Sequence, residues 1–90
     1  MDDIDNEILL IAQEECAETI QAISKIFRFG IDGIPPGKDY SNREHLEEEL
    51  GDLQCMINLM IRHGIIRREK IDEAQVKKCG KLRRWSNIFN

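Results

Sequence analysis

Six carboxylates in two short steps are the groups in this chain best placed to do chemistry: Glu14, Glu15 and Glu18, then Glu48, Glu49 and Asp52. Both steps lie inside runs of helical periodicity, where residues three apart project from one side of a helix, about 100° per residue. Like charges at that spacing repel and are ordinarily spread over a solvated face. Here Glu15 and Glu18 fall in line with Ile4, Ile8, Ile11 and Ala22, and Glu49 and Asp52 sit between Leu46, Leu50 and Met56. Solvating the acids would drag apolar groups outward with them. Burying four carboxylates without counter-charge would be costly and would push them towards the neutral form. A divalent cation removes that cost, and an all-oxygen donor set suits Mg²⁺, with Mn²⁺ as the alternative. The competing reading is a solvated acidic surface.

The elements that must hold these groups follow from the same periodicity. A first helix is expected from about Asp3 to Phe29. Leu9, Ala12, Cys16, Ile20, Ile23 and Phe27 form a second apolar stripe beside the first. Only the sector of Glu7, Gln13, Glu14, Gln21, Ser24 and Arg28 reads as solvent-facing. A helix apolar over most of its circumference is covered from two sides, and in so short a chain the second cover is expected from another subunit.

Gly30, Gly33, Pro35, Pro36 and Gly37 end that helix in a turn-rich connection. Ser41-Asn42-Arg43-Glu44 has the form of a capping box and opens a second helix over about Asn42 to His63. Its expected core stripe is Leu46, Leu50, Leu53, Ile57 and Met60, flanked by Cys55, Met56 and Leu59, with Gly64 as the stop. A third helix is expected from near Arg68 to Trp85, burying Ile71, Ala74, Leu82 and Trp85, with close packing at Gly80. Lys77, Lys81 and Arg84 form a basic stripe along it at i, i+4 and i+7. The fold class is therefore all-α, one small domain over 1–90 with three main helices and no strand alternation.

Composition narrows the function classes. Net charge is −4 and the charged fraction 33%. That balance disfavours a nucleic-acid sleeve or a basic membrane-surface binder. The start Met1-Asp2-Asp3 lacks the basic n-region of a signal peptide, and no run is long and apolar enough for a membrane span. Cys16, Cys55 and Cys79 are odd in number and widely spaced, reading as reduced packing thiols of a cytoplasmic protein. His45 and His63 read as surface or helix-end residues, and neither forms the Glu-x-x-His of a di-iron bundle. Trp85 reads as a packing anchor before a base-stacking platform, and Phe29 with Pro35-Pro36 could flank a base. The basic stripe alone is an exposed face; beside a carboxylate-held cation its side chains could clasp phosphate oxygens.

Taken together, Glu14-Glu15-x-x-Glu18, Glu48-Glu49-x-Gly51-Asp52, Lys25 through Gly30, and the closing Lys77, Lys81, Arg84-Trp85 resemble the MazG-like branch of the all-α nucleoside triphosphate pyrophosphohydrolases. Lys81 departs from that pattern, since related sequences commonly carry Asn there. The resemblance implies a four-helix-type core completed by dimerisation, as a homodimer or homotetramer. It implies Mg²⁺-dependent hydrolysis of an NTP or dNTP to the monophosphate and pyrophosphate. It assigns Glu15, Glu18, Glu49 and Asp52 to the metal, and Glu48 to orienting or deprotonating the attacking water. It assigns Lys77, Lys81 and Arg84 to phosphate oxygens, with Glu14, Lys25 and Trp85 as further substrate-binding positions. Two rivals stand beside it. One is a pyrophosphohydrolase of another phosphorylated metabolite, such as phosphoribosyl-ATP. The other is a non-enzymatic helical interaction module whose acids are surface charge.

Overall fold

A computed structural model describes residues 1–89. It contains three helices and, among the described residues, no strand: α1 Asp3–Phe29, α2 Asn42–Arg62 and α3 Arg68–Trp85. The expected all-α class and helix positions hold, with α2 stopping one residue short so that His63 becomes its C-cap. No helix is long and apolar enough to cross a membrane.

Local chemistry sets the helix ends. The Asp2 side chain accepts from the Asp5 N–H at 2.8 Å and caps α1. At the other end Gly30 adopts φ +87°, a left-handed conformation that L side chains rarely take. The capping box at α2 is complete: Ser41 Oγ accepts from the Glu44 N–H at 3.1 Å, and Glu44 Oε1 accepts from the Ser41 N–H at 2.9 Å. The Ser41 backbone N–H first, and the Ser41 hydroxyl after it, hold the Glu44 carboxyl below its usual pKa. A depressed carboxyl adds stability above its unfolded pKa and loses it as pH falls through the lower folded value. Ser41→Ala is expected to cost about 1 kcal/mol, measured by urea unfolding at neutral pH.

The α1–α2 connection is latched onto the start of α2. Asn42, 1% exposed, donates its backbone N–H to the Gly33 carbonyl at 2.9 Å and its Nδ2 to the Gly30 carbonyl at 2.9 Å. The Arg43 N–H reaches the Ile31 carbonyl at 2.8 Å, and its guanidinium meets Asp32 at 3.2 Å. A Cβ on Gly33 would lie 2.5 Å from the Phe29 carbonyl, so only glycine fits the return of the chain there. Asn42→Ala removes the Nδ2 donor to the Gly30 carbonyl from a fully buried position and is expected to cost about 1–3 kcal/mol in the same unfolding measurement.

This latch makes α1 and α2 an antiparallel hairpin, with His63 Nδ1 3.8 Å from Asp5 Oδ1 at its far end. Its core is Ile8, Ala12 and Met56, flanked by Ile11, Leu59, Met60 and Ile65, with Ala22 and Thr19 buried further along α1. Two expectations change here. Met56, read as a flank, is at the centre, whereas Leu50, read as core, is 46% exposed. The crossing of α2 over α1 rotates the buried seam about one position from the stripe drawn by period alone.

The third helix departs further. It has no buried residue, Ala74 and Trp85 are exposed where burial is expected, and nothing lies within 4 Å of a Cβ on Gly80. The second stripe of α1 is open from Cys16 onward, through Ile20, Ile23 and Phe27. The chain measures 41 × 38 × 14 Å, with a radius of gyration of 16.1 Å. A compact chain of this length has about 12 Å. The shortest dimension, 14 Å, is well under half of either of the other two, so the chain is flat. Only α1 and α2 pack closely on each other, and α3 adds no buried residue.

Candidate metal centre

The antiparallel hairpin sets the middle of α2 against the middle of α1, and this brings the two acidic steps together. One carboxylate oxygen each from Glu15, Glu49 and Asp52 lies within 4.8 Å of the others. Glu15 is half-buried, Glu49 has a side chain 12% exposed, and Asp52 is exposed at the mouth. Glu15 Oε2 is enclosed and has no hydrogen-bond partner. Thr19, one turn on, uses its hydroxyl to donate to the Glu15 carbonyl at 2.8 Å, so it does not serve the carboxylate.

Removal from water is the main reason that the Glu15 carboxyl titrates above the usual range. The charges of Asp52, Glu49, Glu18 and Glu14 add to it in that order. No cation offsets this: among the described residues no Lys or Arg forms an ion pair with Glu15, Glu49 or Asp52. Three oxygens converging, one of them enclosed and unpartnered, is an arrangement that repels itself until a hard cation takes the oxygens as ligands. These residues fit a divalent ion.

The remaining expected site residues are placed less closely. Glu18 is exposed and stands outside the three-oxygen group, although its charge reaches Glu15. Glu14 and Glu48 are exposed, each one residue before a member of the group. Lys25 is half-buried near the loop end of the hairpin, where it lines a small cleft with Phe29, Ile34, Pro35, Pro36 and Asn42. Lys77, Lys81, Arg84 and Trp85 lie exposed on α3, which does not pack closely against the hairpin. Within a single chain, therefore, the acids meet and the basic stripe is not held over them.

One neighbour of the site was read as surface. His45 has a side chain only 14% exposed; its Nε2 lies 3.2 Å from Glu49 Oε1, and its ring meets Tyr40 with centroids 5.6 Å apart. The His-x-x-x-Glu spacing that puts these two on one helix face was available in the sequence.

Comparison of the chain with protein-family models, with curated proteins and with solved structures gives no match.

Proposed function

We propose that the chain is a Mg²⁺-dependent hydrolase that cleaves a nucleoside triphosphate to the monophosphate and pyrophosphate, working as a homo-oligomer. The observation that carries the metal part of this reading is the enclosed, unpartnered Glu15 Oε2 beside the converging oxygens of Glu49 and Asp52. The reaction class rests on the resemblance of residues 14–18, 25–30, 48–52 and 77–85 to the MazG-like pyrophosphohydrolases. The oligomer is supported by the flat shape and by the open second stripe of α1.

In this reading Glu15, Glu49 and Asp52 hold the ion, with Glu18 as the fourth acid. The ion supplies positive charge against phosphate oxygens and makes an attacking water more acidic. Glu48, on the exposed flank of the group, accepts the proton of that water. Lys77, Lys81 and Arg84 bind phosphate oxygens and stabilise charge as the P–O bond breaks, reaching the acids from a second copy's α3. Glu14, Lys25 and Trp85 are left to contact the rest of the substrate.

The test is a panel of NTPs, dNTPs and phosphoribosyl-ATP incubated with Mg²⁺, with products separated. Monophosphate plus pyrophosphate from a nucleoside triphosphate is the expected result, and cleavage of phosphoribosyl-ATP alone would move the substrate to the rival metabolite. A protein that hydrolyses nothing and whose melting temperature is unmoved by Mg²⁺ plus nucleotide is an interaction module instead.

A further inference from the structure

The three-oxygen group poses a mechanical problem before any ion arrives. Oxygens of Glu15, Glu49 and Asp52 stand within 4.8 Å of one another, and like charges at that range push side chains on helix surfaces apart. Glu15 and Glu49 are both shielded, but burial by itself does not fix which way the terminal carboxylate of Glu49 turns. Something must hold it inward. The group in contact with it is His45, one turn earlier on α2, whose Nε2 lies 3.2 Å from Glu49 Oε1. Both side chains are largely shielded, 14% and 12% exposed, so the contact is not dissipated in water as a surface pair would be. The imidazole is itself fixed: Tyr40 meets it at 47° with centroids 5.6 Å apart, and the backbone N–H of His45 is bound to the Ser41 carbonyl at 3.0 Å in the first turn of α2.

We propose that His45 is a positioning residue for the cation site: with a proton on Nε2 it engages one oxygen of Glu49 and so fixes the carboxylate facing Glu15 and Asp52. This rests on the reading of Glu15, Glu49 and Asp52 as cation ligands. It assigns His45 no contact with substrate or ion. Partners of this kind, which orient a ligand without binding the metal, change metal affinity by about 10- to 100-fold when removed. Its chemistry requires an N–H donor at that place, not an imidazole as such. A glutamine at position 45 keeps a donor four residues before Glu49, whereas alanine keeps none.

The experiment is calorimetric titration of the full chain with MnCl₂ alone, without nucleotide, for the unaltered protein, His45→Ala and His45→Gln, together with the melting temperature of each in the absence of metal. The expected result is Mn²⁺ affinity weakened about tenfold or more in His45→Ala and largely regained in His45→Gln. Equal Mn²⁺ affinity in the unaltered protein and His45→Ala overturns the positioning role and leaves the carboxylate site standing. If His45→Ala fails to fold, His45→Gln decides: a folded variant as weak as one lacking a cation ligand, such as Glu49→Gln, also overturns it. No Mn²⁺ binding by the unaltered protein removes the site itself, and the inference with it.

Discussion

Glu15→Gln is expected to raise the melting temperature of the metal-free protein by a few degrees and to lower turnover by about a thousandfold. The two effects have one cause. The Glu15 carboxyl titrates above its ordinary range because it is withdrawn from water and faces Asp52, Glu49, Glu18 and Glu14. A group whose folded pKa is raised binds its proton more tightly folded than unfolded. Its protonated form therefore adds stability that disappears as pH rises through the folded pKa. Metal-free protein should thus become more stable as pH is lowered towards the ordinary carboxylate range, and Glu15→Gln should flatten that slope by fixing the neutral form at every pH. The same proton competes with the cation, so Mg²⁺ affinity should fall over the pH interval in which the stability rises. At a hundred times its Kd the ion adds about 2.7 kcal/mol, or about 10 °C or more in melting temperature for a small domain, and the variant should lose this shift. Melting curves at two pH values, with and without Mg²⁺, read all these effects, and turnover is followed as pyrophosphate released. A variant that is less stable without metal and still stabilised by Mg²⁺ would show that Glu15 is not a ligand.

The parts of this molecule legible in the sequence are those governed by short-range rules. Period alone placed α1 at Asp3–Phe29, because its apolar residues recur over seven turns and its ends carry Asp2 and Gly30. Ser41 and Glu44 announced α2 through a motif whose two bonds are both made. The shielding of Glu15 was readable because it shares a stripe with Ile8 and Ile11, but Glu18 on the same stripe is exposed, and so is Asp52. Period states which residues share a face but not what covers that face. Ile20 and Phe27, for which a second subunit is the expected cover, are open in the single chain, and Trp85, expected as a packing anchor, is 80% exposed. It also does not state where along the seam two helices cross, which is why Glu15 meets Glu49 and Asp52 while Glu18 stands outside them. His45 reads from the sequence as a surface or helix-end residue. Its shielding depends on Glu49 one turn away and on Tyr40, which only the folded loop brings to it.

Breaking the open face of α1 is expected to dismantle the particle and α3 with it. Ile20, Ile23 and Phe27 are 66%, 40% and 85% exposed and follow one another at steps of three and four on the face turned away from the α1 core. Exposed apolar stripes of that length mark interaction surfaces in soluble proteins. On α3, Val76 is 74% and Trp85 80% exposed, and no residue of that helix is buried. A helix of this length in a protein draws most of its stability from packing, and Gly80 in the interior weakens it further. In the proposed oligomer a second copy of the chain would cover α3 and offer an acidic hairpin to its Lys77, Lys81 and Arg84. The double variant Ile23→Asp, Phe27→Asp places two charges on the stripe and touches neither Ile8, Ala12 and Met56 nor the acidic group. It should shift the molar mass by light scattering to that of one chain and reduce helical circular dichroism by about the share of α3. Hydrolysis should fall with it, because the phosphate-binding side chains lose the partner that presents them. An unaltered protein that is already one chain in solution, with α3 fully protected from hydrogen exchange, would exclude this arrangement.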